Sequence, residues 1–352
     1  MDMTHYVDAT TDYHEVLYDV RDWVARITLN REKTYNAYST AALVELAHAF
    51  RRASFDDRVA VIVFTGAGTR AFCTGGDVKE YAASYTSRPR DYWKYMVLFG
   101  AYLESIVNSG KPVIARLNGM AVGGGNESQL ACDLSVMAEH AIIKQVGTSV
   151  GSVAAGGATQ WLPVFVGDRR ARYMLMTNRP IPAAQALEWG LVNEVVPSVR
   201  KDGVWIEGAT SEQIESAQKG KDGYAIDLSR LDEAVQALCA ELIEKFPECM
   251  RYTKQQVNFW KDLAWHQTIG HARDWLSIHY TSREPLEGMG AFVDKRPVDY
   301  LNLRRLAAEG KSSEFRWGPY QRACPHCGAR DLPAGFDFCG QCGRPLEEGG
   351  RP

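Results

Sequence analysis

Two stretches of this 352-residue chain carry residue types whose spacing suits chemistry. In the first, Ala121-Val122-Gly123-Gly124-Gly125-Asn126-Glu127, three glycines let the backbone bend tightly and leave amide N–H groups uncovered, and a carboxylate opens the helical run that follows. Bare donors beside one acid form an oxyanion site; a glycine-rich turn into a helix is the plainer alternative. The second stretch holds Cys324-Pro325-His326-Cys327-Gly328 and Cys339-Gly340-Gln341-Cys342-Gly343. Each Cys-x-x-Cys turn aims two thiolates at one point, and four thiolates close the tetrahedral shell of a structural Zn²⁺, leaving no position open for catalysis. His326 sits inside a knuckle as a bystander. The other four cysteines (Cys73, Cys132, Cys239, Cys249) are scattered, so the pattern suits a reducing compartment rather than a disulfide framework.

The elements that must position the glycine run read as an α/β chain. Glu15 to Asn30 alternates apolar and polar residues around a turn at Arg21-Asp22, the pattern of a β-hairpin. Ser39 caps a helix from Thr40 to Ala53, with Leu43, Leu46, Ala47 and Phe50 at helical spacing. Val59 to Phe64 and Val113 to Leu117 are apolar runs expected of strands buried on both faces of a parallel sheet, and the second delivers the chain to the glycines. Gly66-Ala67-Gly68-Thr69-Arg70-Ala71 fits a relaxed dinucleotide fingerprint, but Phe72-Cys73-Thr74-Gly75-Gly76-Asp77 interrupts where a helix is required, so no NAD site is expected. Helix Glu127 to Ala131, strand Leu134 to Ala138 and a small-residue stretch Gly147 to Ala158 repeat the pattern.

Beyond the Leu191 to Pro197 strand, 198–227 is polar and turn-rich and reads as an insertion or flap on the 1–197 core. Residues 228–308 form a helical portion, with helices Leu228 to Phe246, Tyr252 to Leu263 and Thr268 to Glu284 bearing Trp260, Trp265 and Trp275. A polar linker, 309–323, leads to the cysteine module at 324–346. Net charge of −3 gives no global pull toward nucleic acid, no apolar run reaches membrane-spanning length, and the N-terminus MDMTHYVDATTDYHE is unlike a secretory signal. A cytoplasmic protein is expected.

Taken together and in order, VIVFTGAGTRAFCTGGDVKE, KPVIARLNGMAVGGGNESQLACDLSVMAE, GGATQWLP and IPAAQALEWGLVNEVVP resemble the crotonase (enoyl-CoA hydratase/isomerase) superfamily over about Val16 to Pro197. The resemblance implies a ββα spiral with C-terminal helices, acyl-CoA bound between them, and assembly as a homotrimer or dimer of trimers. It makes Gly76 and Gly124 the two backbone donors to the thioester oxygen and Glu127 the catalytic acid/base. Thr74, Gly75, Asp77, Gly123, Gly147 and Val150 become acyl-CoA contacts, while Lys33 and Ala37 match the loop laid against the CoA adenine and phosphates. The cysteine module resembles a zinc ribbon, a site for Zn²⁺ and for a possible protein partner.

One departure bears on the reaction. Twenty residues beyond Glu127, where a hydratase shows its second glutamate, this chain has Val146-Gly147. With one acid missing, plain hydration is in doubt, and the glycine leaves volume for a bulkier acyl group, a water or a small anion. Two subfamilies share that glycine. The naphthoyl-CoA synthases carry an aspartate aligning with Val153-Ala154-Ala155, absent here. The ring-opening 6-oxocyclohex-1-ene-1-carbonyl-CoA hydrolases carry an inserted segment after the VVP strand and a stretch similar to Ile226 to Cys249, which makes hydration followed by C–C ring opening the leading expectation. An ordinary hydratase or isomerase, and a non-catalytic scaffold recruiting partners through its ribbon, stand as alternatives. Tyr81, Tyr85, His266, His271 and His279 are further side chains placed near the expected pocket or on the C-terminal helices.

Overall fold

The computed structural model describes residues 12–346; residues 1–11 of the N-terminal stretch read against a secretory signal lie outside them. Strands β1 (Val16–Arg21) and β2 (Val24–Leu29) form the expected hairpin, with Asp22 and Trp23 supplying the positive φ angles of its tight turn. The chain then alternates between two sheets. After β3 (Val61–Gly66) comes β4 (Ala71–Cys73), after β5 (Val113–Leu117) comes β6 (Met120–Val122), and after β7 (Leu134–Ala138) comes β8 (Ile142–Lys144). With β9 (Ile181–Pro182) and β10 (Glu194–Val196) the sheets are ordered β1-β2-β3-β5-β7-β10 and β4-β6-β8-β9. Pairing from β2 through β10 in the first sheet is parallel throughout, so each turn of the spiral adds one strand to each sheet.

The unbroken apolar character of β3 has a direct cause. Ile62 and Phe64 pack into the main core between the sheets, whereas Val61 and Val63 meet Leu231, Val235 and Cys239 of the Ser229–Ile243 helix on the outer face. Arg116, the one charge in β5, is buried and donates to Asp232 of that helix at 3.0 and 3.1 Å, which ties the C-terminal portion to the sheet.

Beyond residue 197 the chain is more regular than its polarity suggests. Strands β11 (Val199–Lys201), β12 (Val204–Ile206) and β13 (Tyr224–Ile226) make a small antiparallel sheet carrying the Ser211–Lys219 helix, which a Thr210–Gln213 capping box starts. The helices expected at Tyr252 to Leu263 and Thr268 to Glu284 are instead Pro247–Val257, one 21-residue helix Phe259–His279, and Arg283–Asp294. Ala264-Trp265-His266-Gln267 contains no breaker, so the helix runs through the expected gap and the breaks fall at Asn258 and at Ser282. Tyr320–Arg322, within the expected linker, pairs with Leu332–Pro333 and belongs to the ribbon's own small sheet. Among the described residues no helix is long and apolar enough to cross a membrane.

Candidate active site

The helix after β6 begins inside the glycine run, at Gly124–Ala131, with Gly123 ahead of it at φ 55°. The amide of Gly124 therefore lies in the first helical turn, where N–H groups have no partner within the helix. Across from it, residue 76 sits in a bridge to Tyr38. The Tyr38 amide donates to the Gly75 carbonyl at 2.9 Å and the Asp77 amide donates to the Tyr38 carbonyl at 3.0 Å, so the bridge uses the residues flanking Gly76 and leaves its amide unspent. A β-carbon on Gly75 would stand 2.9 Å from the Gly124 nitrogen, which shows how closely the two loops approach. Two phenols close over the pair: Tyr81 Oη occupies the place of a β-carbon on Gly76, and Tyr38 Oη that of one on Gly124.

Glu127 is 4% exposed and points toward the loop before the Ala158–Val166 helix, whose first amide, Ala158, donates to Oε1 at 3.3 Å. Burial pushes its carboxyl up to about 7, against the opposing pull of the Ala158 and Gly156 amides. Gly156 is required there, since a β-carbon would stand 2.9 Å from Glu127 Oε2 and drive into the Phe99 ring.

These groups share one cleft. Thr74, Gly75, Gly76, Gly123, Gly124, Glu127, Gly147 and Val150 all line it. Lys33, Ala37 and Asp77 do not. Lys33 is exposed on the 3₁₀ turn Glu32–Thr34, Ala37 accepts from Arg31, and Asp77 caps the turn Val78–Glu80 while pairing with Arg31 at 3.2 Å. Tyr81 lines the cleft and hydrogen-bonds to Tyr95 Oη, whereas Tyr85 turns away to Thr40. His279 stacks on Trp275 and pairs with Glu284 at 3.4 Å, away from the cleft, and His266 and His271 do not reach it.

Most of the remaining wall was not anticipated. Tyr92, Tyr95, Met96 and Phe99 come from the helix Pro89–Val107, where their spacing of three, one and three is a helical stripe of three aromatics and a methionine legible in the sequence. Leu276, Tyr280 and Met289 come from the C-terminal helices of the same chain, with Tyr280 stacked on Tyr92 at 3.6 Å. Burial holds the phenols of Tyr38, Tyr81, Tyr92 and Tyr95 well above the ordinary tyrosine range, so they act as neutral donors at physiological pH. Gln145, fully buried, and Ser152 are further polar residues along the same wall by position alone.

Gly147 does not leave the open volume expected of it. A β-carbon there would press against the Ser152 carbonyl at 3.1 Å and the Ala154 amide at 3.2 Å. The backbone of Ser152–Ala154 thus lies against the place where any side chain at 147 would start.

In the C-terminal module the four sulfurs of Cys324, Cys327, Cys339 and Cys342 lie within 4.8 Å of one another, with Cys324–Cys342 and Cys327–Cys339 pairs at 3.7 Å. Thiolates about 2.3 Å from a central Zn²⁺ stand about 3.8 Å apart at tetrahedral angles, so the cage fits that ion.

Residues 19–221 match the enoyl-CoA hydratase/isomerase family. The chain belongs to that family. Residues 321–347 match a separate domain of unknown function (DUF7577). Among relatives of this enoyl-CoA hydratase/isomerase member, the 6-oxocyclohex-1-ene-1-carbonyl-CoA hydrolase of Geobacter metallireducens is 36% identical over 81% of this chain and 81% of its own length. The protein of that name from Thauera aromatica is 36% identical, over 81% and 82%. An enoyl-CoA hydratase structure from Bacillus anthracis superposes with a TM-score of 0.58 at 29% identity, covering 82% of this chain and 99% of that one. Another from Mycobacterium avium subsp. paratuberculosis, at 23% identity and a TM-score of 0.66 over 82% and 99%, shares the fold.

Proposed function

We propose that this enzyme hydrates a cyclic oxo-enoyl-CoA of the 6-oxocyclohex-1-ene-1-carbonyl-CoA type and then opens its ring by hydrolytic C–C cleavage. The observation that carries this reading is Glu127: a buried carboxyl held at about 7 in a cleft where Gly147 and the Ser152–Ala154 loop stand in place of a second acid. The identity to the two hydrolases supports the choice of substrate.

The chemistry explains why one acid is enough. In such a thioester the ring ketone and the thioester carbonyl flank the same carbon, which also forms one end of the double bond. Glu127 takes a proton from water as its oxygen adds to the far end of the double bond. The electron pair moves to the thioester oxygen between the Gly76 and Gly124 amides, and Glu127 returns the proton to the carbon between the carbonyls. A second water then adds to the ring ketone, again losing its proton to Glu127. Collapse breaks the bond between that carbonyl carbon, which becomes a carboxyl group, and its neighbour, forming a second, ring-opened thioester enolate, which Glu127 protonates. Each half returns Glu127 to its starting state, and a carboxyl near pH 7 serves equally as base and acid. Each oxyanion donor contributes about 10²- to 10³-fold in rate.

Incubation with the cyclic oxo-enoyl-CoA and, separately, with crotonyl-CoA tests the reading. A ring-opened dicarboxylic monothioester is expected from the first; fast turnover of crotonyl-CoA with no ring-opened product identifies an ordinary hydratase instead. For the ribbon, we propose a structural Zn²⁺ held by Cys324, Cys327, Cys339 and Cys342, supported by the sulfur spacing. A trimer or dimer of trimers working in the cytoplasm completes the proposal; its support is that Val164, Met176 and Leu187 stand exposed on the single chain.

A further inference from the structure

Ring opening builds negative charge in two places, on the thioester oxygen and on the ring ketone oxygen once water has added to it. The Gly76 and Gly124 amides serve the first. For the second, no lysine, arginine or histidine lines the cleft among the described residues. The two carbonyls flank one carbon, so when both oxygens face the same side they lie within a hydrogen bond's length of each other. A donor to the ketone must therefore stand beside the oxyanion amides.

Tyr81 has that place. Its Oη occupies the position of a β-carbon on Gly76, and a β-carbon is only two bonds from its own amide nitrogen. The chain carries it there within one short segment: five residues after Gly76, Tyr81 opens the π-helical turn Tyr81–Tyr85, with the Thr86 amide donating to its carbonyl at 3.0 Å. A hydrogen bond to Tyr95 Oη orients the phenol, and Tyr81 is half-buried on the cleft wall where Tyr95 is only 3% exposed. Each phenol carries one proton, so a pair joined by one hydrogen bond keeps one proton to direct outward. The other cleft phenols are less suited. Tyr38, over Gly124, is 2% exposed, while Tyr280 stacks on Tyr92 and donates to Ser152 Oγ at 3.3 Å.

We propose that Tyr81, oriented by Tyr95, is a catalytic donor for the ring-opening step, its O–H directed at the ring ketone oxygen. This rests on the ring-opening reading. With Tyr95 donating to Tyr81, the outward proton is Tyr81's, and the bond it makes strengthens as the ketone becomes an alkoxide. Glu127 takes the proton from water as its oxygen joins the ketone carbon, and the carbonyl electron pair moves onto the ketone oxygen. When that pair reforms the carbonyl, the ring bond breaks, its electrons pass to the thioester enolate, and Glu127 protonates the carbon released. Tyr81 keeps its proton throughout, since burial holds the phenol well above the ordinary tyrosine range. Hydration leans on it less, because the charge of that step is shared with the thioester oxygen and its two amides.

Tyr81→Phe removes one oxygen and keeps the ring. With the cyclic oxo-enoyl-CoA, ring opening is expected to fall about 10²- to 10³-fold and hydration by much less, so the hydrated ring thioester accumulates. Tyr95→Phe, which leaves the donor but not its orienting partner, is expected to give a smaller loss with the same accumulation. Ring opening at the wild-type rate in Tyr81→Phe, or hydration and ring opening lost in equal measure, overturns the assignment. A second readout needs no turnover. In Glu127→Gln protein holding unconverted substrate, the infrared band of the ring ketone is expected to rise in frequency when Tyr81→Phe is added, and an unchanged band overturns the assignment. A wild-type protein that leaves the ring closed would instead defeat the proposed function itself, and the wild-type product alone tells the two failures apart.

Discussion

Tyr38 places its hydroxyl where a β-carbon on Gly124 would stand, and it is held there by stacking on Phe99 at a centroid distance of 5.6 Å. The glycine is thus fixed by two features, an amide in the first helical turn at the cleft and room for a buried phenol above its Cα.

Gly124→Ala should therefore lose on both counts. The buried Tyr38 ring cannot swing clear, so overpacking should cost about 1–3 kcal/mol. Displacement of one oxyanion donor should lower kcat by about 10²- to 10³-fold. Gly76→Ala, which meets Tyr81 in the same way, should behave alike. Thermal unfolding and kcat, measured on both variants, check the pair of effects.

Glu127→Gln should trade activity for stability. The folded carboxyl is raised from 4.5 to about 7 by burial, so the folded state binds the proton more tightly than the unfolded chain. The stability this contributes is complete below about pH 4.5 and is lost as pH climbs through about 7, a swing of about 3 kcal/mol. Glutamine is insensitive to that change. The variant should melt above the wild type at pH 8 and level with it near pH 5, while ring opening falls by orders of magnitude. For the wild type, kcat/KM should rise with pH through about 7, following ionisation of the base.

Restoring the missing acid should fail. In Gly147→Glu the β-carbon meets the Ser152 and Ala154 backbone before its carboxylate can reach the cleft, so we expect about 1–3 kcal/mol of destabilisation and no gain in crotonyl-CoA hydration. A rise in that activity would show that the loop yields.

Metal analysis should find one Zn²⁺ per chain, lost in Cys339→Ser. Chelation should unfold the ribbon, seen as increased proteolysis between residues 320 and 346, without altering turnover, because its small core of Cys324, Ala329, Leu332, Cys339 and Leu346 is separate from the main one.

What the sequence revealed and what it hid divide along physical lines. Val61 to Phe64 announces a doubly buried strand because both faces meet apolar partners, and the glycines with Glu127 stand out because they open a helix whose first turn carries an acid. Gly147 was legible as a departure, yet its consequence was not, since the approach of Ser152–Ala154 depends on how the loop folds back. Tyr38, Gln145 and Tyr280 carry no local signature. Each reaches the cleft wall through tertiary path alone, Gln145 by the pairing of β6 with β8 and Tyr280 by packing of a helix far along the chain. The insertion at 198–227 hid its small sheet because its strands are three residues long and leave much of their surface to solvent.

The stack of Tyr92 on Tyr280 joins positions nearly two hundred residues apart, and the cleft as a whole runs from Tyr38 to Met289. A pocket with walls so distant in sequence needs its C-terminal helices. A chain ending before Leu276 would lack that wall of the cleft, and one ending before Ser229 would also leave Val61, Val63 and Arg116 without their partners.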